Sequence, residues 1–72
     1  MIVTQQVEFR KAKETAKGNG ILVTVEDLET ADQQMVYIPN ENRKDFDNMQ
    51  KGEQIQLTFR IPANTLLFYS SH

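Results

Sequence analysis

Apolar and polar residues alternate more regularly in residues 54–61 than elsewhere in the chain. The odd-numbered positions of this segment are all apolar and the even-numbered positions all polar: Ile55, Leu57, Phe59 and Ile61 against Gln54, Gln56, Thr58 and Arg60. A period of two is typical of a strand with one buried face. The apolar side therefore belongs in a core, and the polar side faces water or a binding groove.

Four further segments have the character of strands. They are residues 2–13, 21–26, 35–38 and 66–70. The first places Val3, Val7 and Phe9 on one side, although Gln5 interrupts that side. The second is rich in β-branched residues, and the last has mixed parity. Residues 11–17 have an alternative as a helical turn, since Ala, Lys and Glu favour helix, but they lack an apolar stripe to anchor it.

The segments between the strands carry turn and helix signals. Residues 17–20, with two glycines around Asn19, predict a hairpin turn, and residues 62–65 predict another turn. Between the third and fourth strands, Phe46 and Met49 share one face of a short helix.

The predicted helix has a signal at each of its ends. Asn40 and Asn42 are candidate N-caps, because an asparagine side chain accepts hydrogen bonds from the first amides of a helix. Gly52 suits the left-handed residue that ends a helix.

The predicted order is therefore strand, strand, strand, helix, strand, strand, within a single domain of residues 1–72. This all-β class with one short helix predicts a five-stranded antiparallel barrel, since closure removes the exposed edges of a flat sheet. Phe46 and Met49 are expected to plug one end of the barrel.

The passage from Phe46-Asp-Asn-Met49 through Lys51-Gly52 into Gln-Ile55-Gln-Leu57-Thr-Phe59 resembles the helix-to-strand passage of small OB-fold domains. That family includes single-stranded nucleic-acid binding proteins of phages and mobile elements. The resemblance implies an OB-like barrel and a non-catalytic binding function, and it covers the whole chain at the level of pattern. An SH3-like barrel is the structural alternative.

Charge is distributed unevenly along the chain, which has a net charge of −2. Residues 1–17 sum to +2, residues 18–42 to −5 and residues 43–72 to +1. The protein can therefore present one basic face although its net charge is negative. No apolar run reaches the roughly 20 residues that span a bilayer, and the N-terminus lacks the pattern of a signal peptide. We expect a cytoplasmic protein that does not associate with membranes.

The residue types argue against an enzyme. The chain has no cysteine, and its single histidine is the last residue, His72, so the usual pairs of nucleophile and base cannot form. Residues 26–32 are acidic but lack the calcium-loop pattern. We expect no catalytic site, no metal and no cofactor.

Binding to single-stranded nucleic acid requires basic side chains along a groove and aromatic rings that stack on bases. Strand parity places Tyr37 on an outer face, together with Leu22 and Thr24, and requires that one of Phe68 and Tyr69 be exposed. The candidate contacts are Tyr37, Tyr69, Arg10, Lys11, Lys13, Lys17 and Arg60.

Two other functions compete with this hypothesis. A protein-interaction, accessory or inhibitor module of a phage or mobile element would act through the acidic residues 26–41 or through a strand edge. Homodimerisation, or assembly of a higher homo-oligomer, is expected because Leu22, Leu67 and one ring of the last strand exceed what so small a barrel hides.

Overall fold

A computed structural model describes residues 1–71 as a β-rich domain with one short α-helix. Its elements in chain order are β1 (Ile2–Glu14), β2 (Gly20–Asp27), β3 (Gln33–Pro39), a 3-10 turn (Asn40–Asn42), α1 (Arg43–Asp47), β4 (Gln54–Arg60) and β5 (Thr65–Ser71). The predicted order of elements is confirmed. Residues 11–14 belong to β1, so the helical alternative for them is wrong.

The five strands form one closed sheet in the order β1-β2-β3-β5-β4. Neighbouring strands are antiparallel except β3 and β5, which run parallel and meet at the pair Tyr37–Thr65. The expectation of an entirely antiparallel sheet is therefore wrong. The reason is one of parity: an odd number of strands in a ring cannot all alternate in direction, so one neighbouring pair must be parallel.

The core lies inside the closed sheet and contains residues from every strand and from α1. Ile55, Leu57 and Phe59 of β4 are at most 2% exposed, as their alternation predicts. Ile61 departs from that pattern, because β4 ends at Arg60 and the next residue already belongs to a turn. Its backbone N–H donates to the carbonyl of Met1, and its side chain is exposed.

The helix is shorter than the pattern predicts and is not capped as expected. Neither Asn40 nor Asn42 makes a side-chain cap; the Asn40 side chain instead donates to the carbonyl of Gly18 at 3.1 Å. Gly52 has a φ of +99° but lies beyond the end of the helix, where its N–H donates to the carbonyl of Phe9. The plug prediction is confirmed for Phe46, which is 1% exposed, with Met49 packed against the core.

Two glutamines face the inside of the closed sheet. Gln5 pairs with buried Leu57 and Gln34 pairs with buried Val25, so both glutamines are in the inward register of their strands. The Gln34 amide donates to the side-chain oxygen of Gln5. The polar interruption in the first strand therefore has a partner, which reduces the cost of placing an amide there.

An irregularity in β5 explains its mixed parity. Thr58 pairs with Phe68, whereas Phe59 pairs with Leu66, so Leu67 is an extra residue in the ladder. Such a bulge shifts the alternation by one residue. Leu66 and Tyr69 consequently pack on the core, while Phe68 is 64% exposed on the outside.

Candidate nucleic-acid interface

The outer face of β1, β2 and β3 contains a groove of about 290 Å³. We call this the β1–β3 groove; its lining residues are Lys11, Lys13, Leu22, Thr24, Gln33 and Met35, together with Gln34 of the inward register. Two cross-strand rows build it. One row runs Lys11–Thr24–Met35 and the other Lys13–Leu22–Tyr37, so Tyr37 continues the groove at one end.

A bulge in β1 places both lysines on this face. Phe9 pairs with Val25 and Lys11 pairs with Thr24, which leaves Arg10 as the extra residue. Without that residue, alternation from the buried Phe9 would turn positions 11 and 13 inward. The bulge is therefore what turns Lys11 and Lys13 towards the groove.

The floor of the groove is apolar and its rim is basic. Leu22 is half-buried, Thr24 is buried and Met35 is 40% exposed, so the floor offers a partly open apolar surface. Within residues 1–71, neither Lys11 nor Lys13 forms an ion pair. Both ammonium groups are exposed and available to an anionic ligand.

Tyr37 is held by the loops on either side of it. Its hydroxyl donates to the carbonyl of Asn19 at 2.8 Å, and its backbone N–H donates to the carbonyl of Asn64 at 2.8 Å. Its ring lies against Gly20, where a Cβ would approach the ring's Cε1 atom to 2.8 Å. A half-buried tyrosine fixed in this way loses little conformational freedom when a ligand binds.

Lys17 lies in the loop that joins β1 to β2. This loop has its own hydrogen bonds: the Thr15 hydroxyl donates to the Asn19 side chain, and the Asn40 amide donates to the carbonyl of Gly18. The same loop accepts the hydroxyl of Tyr37, so the exposed Lys17 lies in the segment that borders this end of the groove.

The two arginines among the predicted contacts lie outside the groove. Arg10, the bulge residue, forms an ion pair with Glu8 at 2.8 Å, so its charge is partly compensated. Arg60 is exposed at the end of β4 and pairs with Thr65, which in turn pairs with Tyr37. Arg60 therefore lies two strands beyond Tyr37, or about 10 Å at the usual strand spacing.

Tyr69 lies at the helical end of the sheet rather than in the groove. Its ring meets Phe46 edge-on, with centroids 4.8 Å apart, and its hydroxyl donates to the carboxylate of Asp45. The aromatic residue of β5 that lies open is Phe68. The sequence left this choice unresolved, because no residue type marks the bulge at Leu67.

Tyr37, Lys11 and Lys13 are thus brought together, with Lys17 beside them, whereas Arg10, Arg60 and Tyr69 are placed elsewhere. Five lining residues were not among the candidate contacts: Leu22 and Thr24, which strand parity had placed on this face, and Gln33, Gln34 and Met35. The position of Met35 on this outer face could have been predicted from the sequence, because residues 35 and 37 lie on the same side of a strand.

A separate ionic cluster docks the helix on β1. Arg43 binds Glu14 at 2.8 Å and Asp47 at 3.1 Å. These hydrogen bonds, chiefly that to Glu14, raise the pKa of Arg43, which stays charged at any ordinary pH. The cluster is structural and lies on the side of β1 that faces α1.

Within the described part of the chain, no three acidic, cysteine or histidine side chains gather in a way that would hold a metal ion. None of the helices there is long and apolar enough to cross a membrane. The chain was compared with protein-family models, with curated proteins and with solved structures, and none of them matches it.

Proposed function

We propose that the protein is a non-catalytic, OB-type binding module that takes single-stranded nucleic acid in the β1–β3 groove. The observation that carries the proposal is the groove itself, in which two unpaired lysines border an apolar floor that continues into a fixed tyrosine. The strand order and the helix between β3 and β4 support the OB assignment. The groove includes the outer face of β2 and β3, which is the face on which OB-folds bind oligonucleotides.

The apolar and aromatic side chains along the groove favour a single strand over a duplex. Bases of a single strand are free to leave their stack and lie on apolar or aromatic side chains, which contributes about 1–3 kcal/mol per base. In a duplex the same base faces are stacked inside the helix. Leu22, Met35 and Tyr37 then have no surface to contact, and only the lysines interact with phosphate.

A titration with labelled oligonucleotides at two salt concentrations tests the proposal. We expect binding to a single strand that weakens with salt, and weaker binding to a duplex of the same length. In Lys11→Glu with Lys13→Glu, affinity falls and the salt slope decreases by about 1.4, at about 0.7 per lost phosphate contact on single strands.

A matched control separates local contacts from net charge. Lys44 and Lys51 are exposed on α1 and in the turn before β4, outside the groove. Lys44→Glu with Lys51→Glu makes the same change in net charge as the groove variant. Because both lysines lie outside the groove, this control should leave most of the affinity intact. Equal losses in both pairs, or no binding to any oligonucleotide at low salt, would contradict the proposal.

The ring of Tyr37 has its own test. Tyr37→Phe keeps the stacking surface and loses only the bond to the Asn19 carbonyl, whereas Tyr37→Ala loses both. We expect near-normal binding for the first and a loss of about 1–3 kcal/mol for the second. Circular dichroism of both variants checks that the sheet is retained.

A second candidate is a protein-interaction module that acts through the acidic turn between β2 and β3. The Asp27 carboxylate accepts the backbone N–H groups of Glu29 and Thr30 at 2.7 and 3.2 Å, which holds the turn in one shape. Glu29 and Asp32 are exposed on it. A specific protein partner lost in Glu29→Gln with Asp32→Asn, but kept in the lysine variants, would favour this candidate over the first.

A further inference from the structure

A second outer surface, formed by β1, β4 and β5, carries no charge at its centre. Two cross-strand rows define this β1–β4–β5 face: Thr4–Thr58–Phe68 and Gln6–Gln56–Ser70. A quarter of the residues in the chain are charged, yet all six positions are hydroxyl, amide or aromatic. Charge is depleted, and aromatic residues are enriched, at the centres of protein interfaces.

The aromatic residue of this face is open to contact. Phe68 is 64% exposed, whereas its neighbour Thr58 is 2% exposed and shares a hydrogen bond of 2.9 Å with the hydroxyl of Thr4. The adjoining row contains Ile2, which is 61% exposed, and the exposed Arg60, and Leu67 is 37% exposed beside Phe68. The face therefore presents apolar side chains around a polar layer, in which the two threonine hydroxyls bind each other and the Ser70 hydroxyl donates to the Gln56 side chain.

We propose that the β1–β4–β5 face is a self-association surface that takes a second copy of this chain in a twofold-symmetric dimer. Two copies of a chain with net charge −2 repel each other overall, so their contact is least costly where neither copy carries charge. A twofold contact also requires one patch to complement itself. The two uncharged rows at the centre of this face satisfy both conditions, which the basic groove and the acidic turn do not.

The size of the face indicates how strong the dimer is. Three strands at the usual spacing and the full length of β4, which includes the flanking rows of Glu8 and Arg60, give an area of about 14 by 23 Å. Even with its rim, this is roughly half of the 800 Å² that each partner buries in a standard interface. The dimer is therefore weak and forms only at high protein concentration. Residues 4 and 6 of β1 lie on this face and residues 11 and 13 in the groove, so the dimer leaves both grooves open.

Sedimentation equilibrium over a wide concentration range tests the inference on the full chain. We expect the mean mass to rise from 8.3 kDa towards twice that value and no further. Phe68→Ser and Gln56→Glu should each raise the dissociation constant about tenfold or more, the first by removing the anchor and the second by placing like charges opposite each other. Gln50 is exposed between α1 and β4, outside this face, so Gln50→Glu makes the same change in charge and should alter the constant less than about twofold.

Three results would overturn the inference: a monomer at millimolar concentration, association that is unchanged in Phe68→Ser and Gln56→Glu, or assembly beyond a dimer. Circular dichroism shows whether each variant is folded. Gln56→Glu changes only a half-buried amide on the outside of the sheet, so this variant should fold and still tests the inference if Phe68→Ser does not fold. Oligonucleotide binding by a monomeric variant shows that the groove does not depend on the dimer.

Discussion

Gly20 is the position where adding a single carbon should harm this protein most. A Cβ at this position would lie 2.4 Å from the carbonyl oxygen of Ile38 and 2.8 Å from Cε1 of Tyr37, against an ordinary contact of 3.4–4 Å. The shortfall at the oxygen is about 1 Å, and that oxygen belongs to the backbone of a paired strand. Gly20→Ala must therefore separate the ends of β2 and β3.

The expected cost follows from this geometry. Overpacking that moves backbone costs about 1–3 kcal/mol, and a clash with a strand carbonyl falls at the upper end of that range. A domain of this length has a free energy of unfolding of about 4–11 kcal/mol. A loss of about 3 kcal/mol lowers the melting temperature by roughly 12–24 °C. Displacement of the Tyr37 ring should also weaken any ligand bound in the β1–β3 groove.

The assay is urea unfolding followed by circular dichroism, with Gly18 as the matched position. Gly18 has a φ of +69°, and a Cβ at this position would meet nothing within 4 Å, so its requirement is conformational rather than steric. Gly18→Ala should cost about 1 kcal/mol, and Gly18→Asn less, because asparagine tolerates the left-handed region. At Gly20, asparagine should be as harmful as alanine.

A change of less than about 0.5 kcal/mol in the free energy of unfolding of Gly20→Ala, the usual range of a neutral surface substitution, would show that no such clash occurs. If Gly20→Asn were tolerated better than Gly20→Ala, the cost would come from backbone conformation and not from the clash.

Three further substitutions test the packing by the same unfolding assay. Phe46→Ala removes the buried plug beside Tyr69 and should cost about 3–5 kcal/mol; a loss below about 1 kcal/mol would mean that the helix does not close the sheet. Gln34→Leu leaves the Gln5 amide without its partner and should cost about 1 kcal/mol, which Gln5→Leu in the same chain should largely restore; additive losses would contradict the pairing. Arg43→Gln breaks two exposed ion pairs and should cost less than about 1 kcal/mol, with a larger loss indicating that the helix depends on this residue.

Local patterns predicted much of this fold because burial acts on each strand independently of its neighbours. The alternation in β4 identified three core residues, and Tyr37 was assigned to an outer face from the parity of β3. The same rule failed at Ile61, where the strand ends before the pattern does.

The candidate site was less predictable from the sequence. Lys11, Lys13 and Tyr37 were named as contacts, but their meeting in one groove depends on the bulge at Arg10 and on pairing between β1 and β3 through β2. Bulges are set by how two strands fit together, and neither Arg10 nor Leu67 is a residue type that marks one. For the same reason, the exposure of Phe68 and the burial of Tyr69 against Phe46 followed only from the structure.

The sequence by itself determined the order of the elements, the inward sides of most strands and the plug of α1, since these depend on periodicity and on single residue types. The tertiary structure decided the parallel pair of β3 and β5, the groove on one face and the neutral surface on another. These features arise from closing an odd number of strands into a ring and from two bulges. Both depend on contacts between residues far apart in the chain, so a local sequence pattern does not predict them.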